Sequence, residues 1–215
     1  MNGNNAMNAR KISNTALRQD NWILRKNLKH IIRTTKRNID IQTRIDELGE
    51  LIVGYQDVTS LVVGIATELK EQFGLNAVTF CLSDEFMECV DTELPVEDGE
   101  GASATNGAGG TLLFMDRDRI AETFKGVKEP LLREKLDYGS VDLFGMKHFR
   151  RVRSEAIVPL YHEEEFMGSL NLGCKNPLRY QEGTATDYLR RLGQILSLTL
   201  ALMKLKNRKM KGKDV

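Results

Sequence analysis

From Ile41 to Phe73 apolar residues recur at alternating steps of three and four. One heptad position carries Ile45, Ile52, Thr59, Ala66 and Phe73, and the other carries Ile41, Leu48, Tyr55, Val62 and Leu69. That period keeps one stripe of a helix apolar throughout, and Gly74 supplies a stop. It predicts a coiled-coil helix spanning roughly 45 Å, longer than a small domain needs for its own cover. The expected partner is a second copy, with Ile41, Ile45, Leu48, Ile52, Tyr55 and Val62 at the dimer interface. Upstream, Leu24, Leu28 and Ile31 continue the stripe less regularly among Arg25, Lys26, Lys29, Arg33, Lys36 and Arg37.

After Gly74 the period changes to two. Val78, Phe80 and Leu82 alternate with Ala77, Thr79 and Cys81, and Phe86, Glu88 and Val90 follow, which predicts a β-hairpin around Ser83-Asp84-Glu85. The stretch EDGEGASATNGAGG has no G-K-[ST] and leads into the strand-like TLLFM instead of a helix, so it reads as a connection or lid, not a phosphate loop. DRDRIAETF and EPLLREKL read as short helices, the second with Pro130 in its first turn. EAIVPLYHEEEFMGSLNLG is a second hairpin turning at Glu163–Glu165. In SLNLGCKNPLRYQEGT, Gly173 and Pro177 turn the chain, and Thr184 with Asp187 forms a capping box that opens a final helix. On that helix Tyr188, Leu189, Leu192, Ile195, Leu196 and Met203 make one apolar stripe, and Leu198, Leu202 and Leu205 make a second. Two stripes imply two partners, the sheet and the N-terminal helix.

Charge adds a segregation that the net value of +1 conceals. Residues 1–45 hold ten Lys/Arg against Asp20 and Asp40, residues 46–203 carry a net charge of −12, and residues 204–215 hold six Lys/Arg against Asp214. Two basic ends flank an acidic body, so contact with phosphate on nucleic acid or an anionic surface is one reading, and solvated helix surface is the other. The N-terminus lacks the apolar core of a signal peptide, and ILSLTLALM is too short to span a bilayer. With three cysteines, Cys81, Cys89 and Cys174, not spaced as a zinc knuckle, the expectation is a reduced, cytoplasmic protein.

The stretch from Leu131 onward resembles an uncharacterised bacterial family, domain of unknown function four-eight-four. The resemblance rests on Leu143-Phe144-Gly145, Ser154-x-Ala156, Pro159-Leu160, Leu172-Gly173, Asn176-Pro177, Arg179-Tyr180, Gly183-Thr184 and the Asp187-Tyr188-Leu189 helix through Leu192-Gly193. It implies a helical, coiled-coil-like region followed by a GAF-like domain. The expected fold is therefore α+β, an antiparallel sheet with long N- and C-terminal helices on one face. The expected divisions are a frayed basic N-terminus (1–20), a long dimerising helix (21–74), a GAF-like domain (75–204) and a basic tail (205–215). GAF domains commonly sense small molecules and pass the signal through helices, an analogy of fold. The resemblance thus implies a non-enzymatic sensory or regulatory module. Members are often encoded beside a tyrosine recombinase, which implies as rival a nucleic-acid-associated accessory protein; an enzyme of unknown chemistry is the third reading. Cyclic-nucleotide-binding GAF domains carry Asn-Lys, a downstream Phe and an Asp-Glu pair. Here Cys174-Lys175, Tyr180 and Thr184-Ala185 stand instead, with Lys175 free to pair with Asp187 at the corner.

Candidate chemistry is sparse. His30, His148 and His162 share no ligand spacing, no catalytic signature is present, and the sequence names no cofactor. Cys81 and Cys89 would face each other across the first hairpin, as packing residues or as a redox pair. Some GAF-fold enzymes reduce methionine sulfoxide with loop cysteines and bilin sensors attach a chromophore to one, but Cys174 fits neither pattern. KHFRRVRS (147–154) could meet an anionic ligand through Arg150, Arg151 and Arg153, or balance Glu163–Glu165. In the second hairpin, pairing Ala156 with Asn171 and Val158 with Ser169 puts these four on one face, with Arg153 and Ser154 at its edge and Leu170 and Leu172 behind. That mixed face is the expected ligand site.

Overall fold

A computed structural model describes residues 3–90, 112–183 and 186–211, except the side chains of 3–17, 37 and 211. The Gly-rich connection 97–110 and the Thr184 cap therefore lie outside the described residues. The chain divides into two compact units, Met1–Arg44 and Ile45–Val215. The division falls inside a helix, well before the expected boundary at residue 74.

The first unit is helical, the N-terminal part of α1 (Gly3–Gly54), and the helix includes most of the segment 1–20. Trp22, Leu24, Leu28 and Ile31 are exposed on it, and the Lys26 ammonium sits 5.3 Å from the centre of the Trp22 ring.

The second unit begins with the rest of α1 and departs from the heptad expectation at once. Helix α1 stops at Gly54, and α2 (Val58–Phe73) starts afresh with Asp57, whose carboxylate accepts from the Ser60 amide at 2.8 Å. The three-four spacing continues across the break because both helices bury a stripe in their own domain. Ile45, Leu48, Ile52 and Val62 are buried within the chain, and Tyr55 lies against Gly64, leaving no room there for a Cβ. Ile41 belongs to the first unit. A heptad over a span this short does not distinguish a partner helix from a sheet. Gly74, at φ 61°, closes α2 in the left-handed conformation, as expected.

A five-stranded sheet follows, in the order β2-β1-β5-β4-β3. The strands are β1 (Ala77–Ser83), β2 (Leu112–Met115), β3 (Leu131–Arg133), β4 (Ser154–His162) and β5 (Glu165–Cys174). All neighbours are antiparallel except β1 and β2, which run parallel, so the sheet is mixed. The first hairpin does not form: Asp84–Cys89 is a 3-10 helix that buries Phe86. EPLLREKL is not a helix either, since its Leu131–Arg133 pairs with β4 as an edge strand. The alternation of β1 and the β4–β5 hairpin appear as expected.

One face of the sheet is covered by α2 and by α5 (Asp187–Lys211). Helix α5 crosses β4 at Gly193, where a Cβ would come within 2.8 Å of the Val158 side chain. The opposite, distal face carries α3 (Arg117–Glu122) and α4 (Val141–His148). Helix α5 runs on to Lys211, so most of the expected tail is helix. Its second stripe, Leu198, Leu202 and Leu205, is exposed instead of lying under the N-terminal helix. Leu198 and Leu202 line an open groove of ≈ 990 Å³ whose other wall is α1 at Asp46, Gly49, Glu50 and Val53. Among the described residues no helix is long and apolar enough to cross a membrane.

Candidate ligand-binding face of the sheet

The expected site is divided by a β-bulge. Near the turn Tyr161 pairs with Phe166 and His162 with Glu165, the register the sequence suggests. Between Leu160 and Tyr161 the register shifts, and Leu160 then pairs with Gly168, Val158 with Leu170 and Ala156 with Leu172. The extra residue is Met167. Gly168 takes φ 149°, and a Cβ there would collide with the Cys81 carbonyl, so only glycine lets β5 lie this close to β1. One residue of slip sends every side chain beyond it to the other face. Ala156 and Val158 therefore join Leu170 and Leu172 under α2 and α5, while Ser169 and Asn171 stay on the distal face with Ile157 and Pro159. Ser154 is not at the edge of a pocket: its hydroxyl donates to the Asn176 carbonyl at 2.7 Å. Arg153 points away, its guanidinium 5.6 Å from the centre of the Tyr138 ring.

What the fold does bring together is a polar group in the centre of the distal face. Thr79 pairs with Asn171 and Cys81 with Ser169 across β1 and β5. The Ser169 hydroxyl donates to Asn171 Oδ1 at 2.9 Å. Asn171 Nδ2 donates to the Leu143 carbonyl at 3.2 Å and to Thr79 Oγ1 at 3.3 Å, and the Thr79 hydroxyl donates to the same carbonyl at 2.5 Å. Thr79, Ser169 and Asn171 are all fully buried. The Leu143 carbonyl is available because Gly145, at φ 64° and ψ 169°, breaks α4 two residues later. Leu143 and Phe144 then fill the space above the sheet, with Phe144 and Val152 seated on Gly173. The face is thus closed by one turn of α4. At its β2 side, the buried Ser83 hydroxyl has no partner among the described residues.

The rim is held by charge. Glu155 is fully buried on this face and accepts from Arg133 Nη1 at 2.9 Å, the Ser140 hydroxyl at 2.8 Å and the Ser140 amide at 3.0 Å. Two side-chain donors and a main-chain amide satisfy the carboxylate and fix where α4 begins. At the other end of the sheet Lys204 of α5 bridges Glu85 and Glu165, the latter at 2.7 Å, and Arg117 joins the same two carboxylates. The hydrogen bond from Lys204 is the main reason Glu85 sits below its ordinary pKa, against a smaller upward push from burial. Glu164 pairs with Lys128 at 2.6 Å. The acidic turn is therefore balanced by Lys128, Arg117 and Lys204, not by KHFRRVRS, which lies at the far end of β4.

Other expectations fare variously. Asp187 pairs with Arg190 at 3.0 Å rather than with Lys175, and the corner is fixed by the Asn76 side chain, which accepts from the Lys175 amide at 2.6 Å. Cys81 and Cys89 lie in a strand and a 3-10 helix that do not pair, and burial pushes the Cys81 thiol up to about 12. A thiol held that high is a poor nucleophile at neutral pH. His30, His148 and His162 fall in α1, α4 and β4. Among the described residues no group of three or more His, Cys, Asp or Glu could hold a metal ion. Thr79, Glu155 and the Leu143 carbonyl are missed by sequence reasoning. The available signal was Gly168, an isolated glycine within a strand pattern, which marks a bulge and reverses the faces.

A mixed five-stranded sheet with two helices on one face and small elements on the other defines a GAF-like α+β domain. No family model matches the chain, and no curated protein matches it. Solved structures do. The GAF domain of a phosphoenolpyruvate-protein phosphotransferase from Coxiella burnetii matches with a TM-score of 0.52 at 11% identity, over 81% of this chain and 98% of that one. The free methionine-R-sulfoxide reductase from Neisseria meningitidis, solved with its substrate, matches with a TM-score of 0.51 at 19% identity, over 77% of this chain and 91% of that one. A phycocyanobilin-bound GAF domain from a cyanobacterial phytochrome gives 0.49 at 13% identity, over 77% and 96%. At these identities the likeness establishes the fold. It also corrects the non-enzymatic expectation, because the reductase is an enzyme on this same fold and the fold gives no ground for excluding catalysis.

Proposed function

We propose that this chain is a cytoplasmic sensory or regulatory module that takes a small molecule on the distal face of its sheet. The observation that carries the reading is the Thr79–Ser169–Asn171 group. A core this size packs well without buried amides and hydroxyls, whereas a ligand pocket uses a few of them, set in apolar walls, to orient its occupant. Here their contact beyond the group is one carbonyl of a short, broken helix, so displacement of α4 would present all three to a ligand. Occupancy would reach α5 through the 3-10 helix after β1, where Glu85 meets Lys204 and the Glu88 carbonyl accepts from Asn207 at 2.6 Å. The quoted motifs support kinship with domain of unknown function four-eight-four. A homodimer fits the exposed Leu198, Leu202 and Leu205, whose spacing of four and three is that of a coiled-coil stripe and whose symmetric partner would be the same stripe of a second copy.

The test is a thermal-shift screen of metabolite-sized ligands, free methionine sulfoxide among them, repeated on Asn171→Leu/Ser169→Val. The reading expects a stabilising ligand whose effect the double variant abolishes. A ligand that stabilises both proteins equally binds elsewhere and removes the support for this face.

A further inference from the structure

The segment 147–154 gives Phe149 and Val152 to the distal core, but its arginines take no part there and are arranged differently from the other cations of the body. Among the described residues Arg150, Arg151 and Arg153 have no carboxylate partner, within a stretch of chain whose net charge is −12. Two of them sit on aromatic rings instead. The Arg150 guanidinium lies 5.6 Å from the centre of the Phe149 ring, Phe149 lies 6.0 Å from Tyr138, and Tyr138 lies 5.6 Å from the Arg153 guanidinium. The result is a row of cation, ring, ring, cation.

The row is fixed by main-chain bonds on both sides of Tyr138. The Leu136 amide donates to the Arg153 carbonyl at 2.8 Å, and the Gly139 amide donates to the Phe149 carbonyl at 3.0 Å. Phe149 is anchored by packing on the distal core, while Tyr138 is 60% exposed. Further positive charge lies alongside. The His148 imidazolium is disfavoured by burial first, and then by Lys70, Lys147 and Arg151. The acids of the adjoining loop are Asp137 and Glu134, and Glu134 is paired with Lys135 at 3.2 Å.

Two neighbouring rings, one of them exposed, with a guanidinium at each end of the row have the two parts that single-stranded nucleic acid requires. The rings offer a face on which a base stacks, and the guanidiniums track phosphates. A duplex hides its base faces, and a membrane surface has none. We infer that Tyr138, Phe149, Arg150 and Arg153 form a docking surface for single-stranded nucleic acid at the β4-start end of the sheet.

The test uses the full chain and a fluorescein-labelled oligothymidylate, followed by anisotropy across a salt series. The wild type is expected to bind at low salt. Tyr138→Ala should weaken binding by roughly five- to a hundredfold, the range of one base–aromatic stack. Its melting temperature should not change, because the side chain is exposed. Arg150→Ala/Arg153→Ala should reduce the slope of log affinity against log salt by about 1.4, two phosphates on a single strand. No binding by the wild type overturns the inference. So does binding that all three substitutions leave intact, which would assign it to the basic ends of the chain. Anionic phosphatidylserine vesicles provide the last arm: binding to them that depends on the arginines, with oligonucleotide binding indifferent to Tyr138, would make the patch a lipid-phosphate surface and overturn base stacking.

Discussion

The two faces of the sheet are closed in different ways. On the face under α2 and α5, the strand side chains of Ala156, Val158, Leu160, Leu170 and Leu172 are apolar, and two helices of 16 and 25 residues cover them. On the distal face, three buried polar side chains meet a helix of 8 residues that is broken at Gly145. Hydrophobic burial is non-directional and adds up over area, so the first face holds the fold together. The second has its own apolar cluster, with Ile120, Phe124, Leu143, Phe144 and Phe166, and sets within it a few directed hydrogen bonds, whose net worth in the folded state is small but whose absence is costly. A face built that way suits an element that opens.

The largest effect should come from the apolar face. Phe80→Ala removes a fully buried ring from beneath the helices and is expected to cost about 3–5 kcal/mol, read as a lower midpoint in urea unfolding. Gly168→Ala should follow, at roughly 2–4 kcal/mol, because it strains the backbone and drives a methyl group into β1. A cost for Gly168→Ala below about 0.5 kcal/mol would mean that the bulge tolerates a Cβ and that the assignment of faces is wrong.

The bulge also marks how far the sequence was legible. Alternation in β1, β4 and β5, the αL stop at Gly74 and the buried stripe of the final helix can all be read from spacing, because each depends on neighbours along the chain; the second stripe of that helix is exposed. The break at Asp57 could not, since the heptad persists across it to serve the chain's own sheet. The 3-10 helix at Asp84 and the edge strand at Leu131 were missed because tertiary pairing overrides local pattern in segments that short. At the candidate site two of six residues, Ser169 and Asn171, lie where they were expected. Ala156 and Val158 are misplaced by the single extra residue Met167, and Arg153 and Ser154 are engaged elsewhere.

Smaller effects sharpen the contrast. Asn171→Leu leaves the Ser169 hydroxyl without its acceptor and should cost about 1–2 kcal/mol. Adding Ser169→Val removes that orphan and should restore about 1 kcal/mol, a coupling that equilibrium unfolding of both single variants and the double variant measures. Additive costs would show that the two side chains do not act as a unit. The smallest effect concerns pH. Because Glu85 is held below its unfolded value, its contribution is present above about pH 4.3 and lost as pH falls through the folded value. Lys204→Met should therefore lose less stability than the wild type between roughly pH 5 and 3. Equal acid sensitivity would assign the wild-type loss to other carboxylates.

The contrast between the faces is tested most directly by native-state hydrogen exchange. The Leu143 and Phe144 amides donate to the Ser140 carbonyl at 3.1 and 2.9 Å, within the turn that closes the distal face. They should exchange through a local opening of lower free energy than the amides of Phe80 and Leu170, and a ligand of the distal face should change their protection before that of α2. If Leu143 and Phe144 exchange only with global unfolding, at the same free energy as Phe80, then α4 is a fixed part of the core and the distal face does not open.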